Sequence, residues 1–170
     1  RPGKVGREPN NWASFFGGSA WEYDQASGEY YLHLFSKKQP DLNWENPKVR
    51  SEVYKMMTWW LERGIDGFRM DVINMISKVP GLPDAPVVIS DRYQPGGRYF
   101  INGPRLLEFL SEMKQQVLSC YDILTVGETP QIGPQDALKI VHQDTGALNM
   151  VFQFEHMDLD ADVGGASSRR

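Results

Sequence analysis

From residue 47 onward the apolar positions of this 170-residue chain switch period several times. Val49, Val53, Met56, Met57, Trp60 and Leu61 recur at three- and four-residue steps, the pattern of an amphipathic helix. Asn46 stands where a cap is needed, and Pro47 takes the first helical position, where its missing N–H costs nothing. Gly64 supplies a left-handed stop. A short apolar run follows, and a buried strand is predicted over 67–73. Pro104 opens a second helix whose Leu106, Leu107, Leu110, Met113 and Val117 face inward. Residues 123–128 read as a second buried strand, Pro134 to Val141 as a third helix and 148–154 as a third strand. Helices alternating with apolar strands imply an α/β fold, a parallel sheet covered by helices. Three such units do not distinguish an open sheet from a closed barrel.

The segment before that helix has no helical period. Residues 1–30 are rich in Gly, Asn, Trp and Tyr and read as loops and short strands, with GEYYLHLF (28–35) the best strand among them. The stretch 79–103, punctuated by Pro and Gly, reads as a functional loop. Aromatic residues make up 12% of the chain, and many fall in these polar, loop-like stretches, where a packed core would not place them.

An apolar share of 41% excludes a disordered chain, and no run approaches the roughly 20 apolar residues of a membrane span. A net charge of −4 without a Lys/Arg cluster argues against nucleic acid or an anionic membrane as partner. The single cysteine, Cys120, excludes an internal disulfide framework and fits a reducing compartment. The chain opens on Arg1 and closes on GGASSRR directly after a strand-like segment, so it is read as a piece of something longer.

Each of the first two core strands ends in an acid: Asp71 closes GFRMD and Glu128 closes ILTVGE. In parallel α/β folds the active site lies at the carboxyl ends of the strands. Neighbouring strands, about 4.8 Å apart, bring two such acids near the roughly 5–5.5 Å separation of retaining glycosidases. Arg69, two residues before Asp71, shares its strand face and is expected to hold that carboxyl ionised. Glu128 sits in an apolar strand, where burial favours its protonated form. One acid charged and one neutral is the division a nucleophile and a general acid need. The same residues also fit a structural Arg69–Asp71 ion pair with Glu128 capping the next helix.

These motifs resemble those of glycoside hydrolase family 13, the α-amylase family. GIDGFRMDVIN (64–74) is similar to its second signature region, ILTVGET (123–129) to its third, and QPDLNW (39–44) to the signature closing its domain B. PNNWASFFGGSAWEYD (9–24), YYLHLFSKKQPDLNWENPKVR (30–50) and LNMVFQFEHMDLD (148–160) resemble the oligo-1,6-glucosidase and α-glucosidase branch. The resemblance implies part of a (β/α)₈ TIM barrel, from about helix 3 to strand 6. Residues 1–38 would end an inserted domain B and 39–170 would form a central barrel segment. It implies that Asp71 is the nucleophile, Glu128 the general acid/base and Arg69 the residue that orients the nucleophile.

The resemblance further implies that Phe16, Phe35 and Gln39 line the glucose subsite, where aromatic faces suit a pyranose and an amide bonds its hydroxyls. In the family, a valine after the nucleophile, here Val72, goes with α-1,6 bonds, and alanine or threonine with α-1,4. The implied activity is retaining hydrolysis of isomaltose and short isomalto-oligosaccharides, without a cofactor. Trehalose-6-phosphate hydrolysis, α-1,4-glucosidase activity and a non-catalytic scaffold or binding role are the alternatives. A monomeric cytoplasmic enzyme acting on a small oligosaccharide is implied. The family's first and fourth regions, with the third catalytic carboxylate, do not occur in this sequence, so these 170 residues alone are expected to be inactive. No metal site is readable, because His33, His142 and His156 lack partners at ligand spacing. His142-Gln143-Asp144 is read as solvated surface, Asp66 as structural, Asp158 and Asp160 as loop acids, and Met56, Met57, Met70 and Met75 as core filler.

Overall fold

In the computed structural model, residues 1–3 and 7–154 are described, so His156, Asp158 and Asp160 lie outside them. Asn46 Oδ1 accepts the Lys48 amide at 3.0 Å, and Pro47 is the first helical residue of α1 (Pro47–Leu61). Gly64, at φ 86°, donates to the Leu61 carbonyl and ends the turn that follows the helix. The remaining elements of this half are β3 (Gly67–Met70), α2 (Leu106–Gln116), β4 (Leu124–Glu128), α3 (Pro134–Val141) and β5 (Met150–Phe152). Ahead of them, β1 (Trp21–Asp24) and β2 (Glu29–Leu32) form an antiparallel hairpin.

Strands β3, β4 and β5 lie side by side in that order, all parallel. The expected helix–strand alternation and parallel sheet are present. The helices cover one face. Phe68, Met70, Thr125 and Gly127 point toward them, and alternation of side chains sends Arg69, Leu124 and Glu128 to the other face. Leu124, Met150 and Phe152 are about half exposed there, so the sheet is helix-covered on one side among the described residues.

The strand expected over 67–73 stops at Met70. Val72 adopts left-handed angles, φ 38° and ψ 42°, and the chain passes into a 3₁₀ turn at Ile73–Met75. The buried side of α1 also differs from the apolar count. Arg50, Tyr54, Met57 and Leu61 point inward, while Met56 and Trp60 are about half exposed. Arg50 goes inward because its charge is answered there: it bonds Glu112 at 2.8 Å and the Trp44 carbonyl at 2.7 Å, and lies over the Phe109 ring. On α2, Leu107 is exposed and fully buried Phe109 takes its place, so the inward stripe runs Leu106, Phe109, Leu110, Met113. Each such apolar side chain contributes about 1.5–3 kcal/mol on burial.

The aromatic residues of the first half build a second core. Trp12, Trp21, Leu34 and Phe100 are buried together, with Met75 and Ala85. Trp12 is fully covered because Gly96 leaves room for its ring, and Tyr99 stacks against it at 5.8 Å. The segment 79–103 is the other wall of this core. It accepts side-chain hydrogen bonds from Asn10, Asn11 and Trp12 at Leu82, Ala85 and Pro83. Within it, fully buried Gln94 bonds the backbone at Val88, Ile89 and Asp91. Polar side chains serving backbone groups let an aromatic core form in a stretch with no apolar period.

A buried ion pair joins the segment before α1 to the turn beyond β3. Lys78 Nζ reaches Asp41 Oδ1 at 2.5 Å and the Met75 carbonyl at 2.7 Å. Burial pushes the Lys78 ammonium down and the Asp41 carboxyl up from their ordinary values. Asp41→Ala leaves the ammonium buried without its partner and is expected to cost about 3–5 kcal/mol, with the Asp41→Leu/Lys78→Met pair costing clearly less. Thermal unfolding of the two variants decides this, and equal losses refute it.

Sheet register rests on Gly67, where a Cβ would run into the Leu124 backbone. Gly67→Ala is expected to destabilise by at least about 2 kcal/mol, read as a lowered unfolding midpoint. An unchanged midpoint refutes it.

Candidate active site

Met70 pairs with Gly127 in the parallel register, and the next residue along each segment is an acid, Asp71 and Glu128. Both acids therefore stand at the carboxyl end of the sheet, on adjacent strands. Arg69 pairs in register with Val126, two residues before Glu128 on the same face. Its guanidinium reaches both carboxylates: one nitrogen bonds Asp71 at 2.6 Å and the other bonds Glu128. The contact to Asp71 was legible in the R-x-D spacing. The contact to Glu128 was not, although the strand pairing alone would have given it. Glu128 caps no helix, since α3 begins after Gly133 without a side-chain cap.

The two acids differ in environment. Glu128 is 17% exposed and Asp71 is 66% exposed. A hydrogen bond from the Glu128 carboxyl is the largest influence holding Asp71 below its ordinary value, and Arg69 adds to it. Burial, and then the bond to Asp71, push Glu128 up, against the opposing pull of Arg69. Together these shifts favour an ionised Asp71 beside a protonated Glu128. The direction of each shift matches the sequence reading, and Asp71's main cause is its partner acid rather than the guanidinium.

Val72 turns the chain directly after Asp71. A β-branched residue in the left-handed region costs about 1–2 kcal/mol, and packing holds it there. Its side chain lies against the second core, as does Phe35. Phe35 stacks on Phe15 at 5.1 Å and meets the edge of Phe16 at 5.7 Å. Phe16 is 73% exposed, an aromatic face open to solvent. Phe16 and Phe35 thus form one aromatic surface, and Phe35 and Val72 pack against the same core. Gln39 stands apart, in a turn where its side chain accepts from the Ser36 amide at 3.3 Å.

Small residues let these loops close over the sheet. At Gly127 a Cβ would meet Ile73 and Leu148 side chains at 2.9 and 2.7 Å, so the 3₁₀ turn packs directly on the strand carrying Glu128. Thr129 ties the end of β4 to β5, its amide and hydroxyl both donating to the Phe152 carbonyl. His142 and Asp144 are exposed beyond α3, as expected. Among the described residues no cluster of His, Cys, Asp and Glu is placed to hold a metal. A cleft of about 420 Å³ lies elsewhere, lined by Trp21, Tyr30, Trp44 and the Lys78–Asp41 pair, without either acid.

The model of the α-amylase catalytic domain matches residues 1–168. The chain belongs to this family. Oligo-1,6-glucosidase of Parageobacillus thermoglucosidasius is 66% identical over 97% of the chain and 29% of its own length. Oligo-1,6-glucosidase of Halalkalibacterium halodurans is 61% identical over the same shares. Among solved structures, Bacillus licheniformis trehalose-6-phosphate hydrolase superposes with a TM-score of 0.88 at 46% identity, over 97% of the chain and 29% of its own. The chain thus spans less than a third of the length of these relatives. As an α-amylase-family segment, its parallel strands and helices are part of a (β/α)₈ barrel, and the sheet face bearing Arg69 and Glu128 is the face that the helices leave free.

In the full-length α-amylase-family protein, Asp71→Asn removes the anion that bonds Glu128 and leaves Arg69 in place. Glu128 is then expected to titrate lower than in the unaltered protein, measured by carbon-13 NMR of its carboxyl. An unchanged or higher value contradicts the upward push of Asp71 on Glu128.

Proposed function

We propose that the protein carrying this chain is a retaining α-glucosidase that hydrolyses the α-1,6 bonds of isomaltose and short isomalto-oligosaccharides. The observation behind this reading is the Arg69 guanidinium bonding two acids at adjacent strand ends, with Asp71 shifted toward its ionised form and Glu128 toward its neutral form. The names of the 66% and 61% identical relatives support the substrate.

In this reading Asp71, ionised, attacks the anomeric carbon while Glu128 donates its proton to the departing glycosidic oxygen. Glu128, now a base, takes a proton from water, and the resulting hydroxide displaces Asp71. Both steps balance with two carboxylates and one water. Arg69 orients Asp71 and keeps it charged. Phe16, Phe35 and Val72 would offer an apolar wall to the sugar, and Gln39 an amide to its hydroxyls. Residues 1–38 would close an inserted domain B and 39–170 form a barrel segment that needs the rest of the barrel for activity. The protein is read as a monomer, and a cytoplasmic location fits the lone cysteine. Separately, among the described residues no helix is long and apolar enough to cross a membrane.

The likeness to a trehalose-6-phosphate hydrolase structure favours a second reading, the same chemistry on that phosphorylated disaccharide. Glucose release by the full-length protein from isomaltose, maltose and trehalose-6-phosphate separates the two. Isomaltose is expected fastest, with Asp71→Asn inert; trehalose-6-phosphate fastest moves the substrate to the second reading. Val72→Ala is expected to raise maltose turnover relative to isomaltose, and an unchanged ratio refutes the role of Val72.

The pH profile of kcat/KM follows from the shifts. Asp71 must be ionised and is held low, so the acid limb falls below the ordinary aspartate value of 3.8. Glu128 must be protonated and is held high, so the alkaline limb lies above the ordinary glutamate value of 4.5. An alkaline limb that persists in Glu128→Gln refutes that assignment.

A further inference from the structure

Three loops meet just beyond the acid pair, and two asparagines join them. Asn74, three residues after Asp71, is fully buried. Its Nδ2 donates to Asn102 Oδ1 at 2.9 Å and to the Pro130 carbonyl at 2.7 Å. The Asn102 amide donates to the Asn74 carbonyl at 2.9 Å, and Asn102 Nδ2 donates to the Gln131 carbonyl at 2.9 Å. Pro130 and Gln131 directly follow Glu128 and Thr129. The loop after the Asp71 strand, the end of the 79–103 segment and the loop after the Glu128 strand are thereby fastened to one another.

The fastening has a single geometry. Turning the Asn74 amide over would set its oxygen against the Pro130 carbonyl, so both protons are committed as found. Among the described residues its own Oδ1 is buried without a partner, a standing cost that a site chosen for stability alone would avoid by an apolar residue. Asn102 and Gln131 both take left-handed angles, φ 52° and 56°, which aim their backbones into the junction. Gly103 presses on the Ser77 backbone with no space for a side chain, and Ser77 Oγ accepts the Arg105 amide at 2.9 Å. The junction is therefore anchored on both sides.

We propose that Asn74 and Asn102 are positioning residues that fix Glu128 relative to Asp71, acting through Pro130 and Gln131. The proposal rests on the glucosidase reading above. It separates from a merely structural role by leaving group. Isomaltose needs a proton from a well-placed Glu128 to expel a sugar alkoxide, whereas α-glucosyl fluoride expels fluoride with little acid help. The variant of choice is Asn102→Gly, which keeps the left-handed backbone and the amide bond to Asn74 while deleting the side-chain links. Asn74→Ala is the second variant, with unfolding midpoints recorded for both.

In the full-length protein, Asn102→Gly is expected to lower kcat/KM for isomaltose by about tenfold or more and that for α-glucosyl fluoride by less than about threefold. The alkaline limb of the isomaltose profile is expected to move. Equal falls on both substrates, or no fall on either, in either variant that retains its fold, overturn the proposal while the unaltered protein remains active. An unaltered protein inert toward both substrates overturns the glucosidase reading and this proposal with it.

Discussion

One guanidinium holds the candidate site together. Two carboxylates at adjacent strand ends would repel if both were charged, and Arg69 relieves that by bonding each with a different nitrogen. The arrangement needs β3 and β4 parallel, adjacent and in one register, because a slip by one residue would turn Arg69 or Glu128 to the helix face. Gly67 secures that register at the start of the strands and Thr129 secures β4 to β5 at the end. The helices α1 to α3 supply the apolar burial that keeps the sheet in place.

The two acids also differ in exposure. Glu128 lies deeper than Asp71, and burial favours the neutral form of a carboxyl, which pushes Glu128 up from its ordinary value. The strained turn at Val72 follows Asp71 directly and leads into a 3₁₀ turn packed over Gly127, which brings the two loops together. The same valine packs against the aromatic second core, as does Phe35, so the turn after Asp71 and the Phe16–Phe35 pair share one support. Buried Lys78 ties Asp41 to the carbonyl of Met75, a residue of that core.

Much of this was legible in the sequence. The capped start of α1, the bounds of α3, the parallel order of the strands and the Arg69–Asp71 contact followed from spacing and local chemistry. What was not legible has a common cause, polar side chains satisfied at long range. Arg50 faces inward because Glu112, 62 residues away, receives it, and no count of apolar residues on one helix shows that. Trp12 and Trp21 are core residues because Asn10, Asn11 and Gln94 serve the loop backbones around them. The early end of β3 at Met70 was hidden because Val72 and Ile73 favour strands, and tertiary packing overrides that preference.

The assignment of roles to Asp71 and Glu128 is tested most directly by trapping. The full-length protein would be treated with 5-fluoro-α-glucosyl fluoride, which slows release of the sugar from the enzyme, and the labelled peptide located by mass spectrometry. The account predicts one glucosyl ester, on Asp71, with none in Asp71→Asn. A label on Glu128, or steady turnover of the reagent through an enzyme that never becomes labelled, would contradict it.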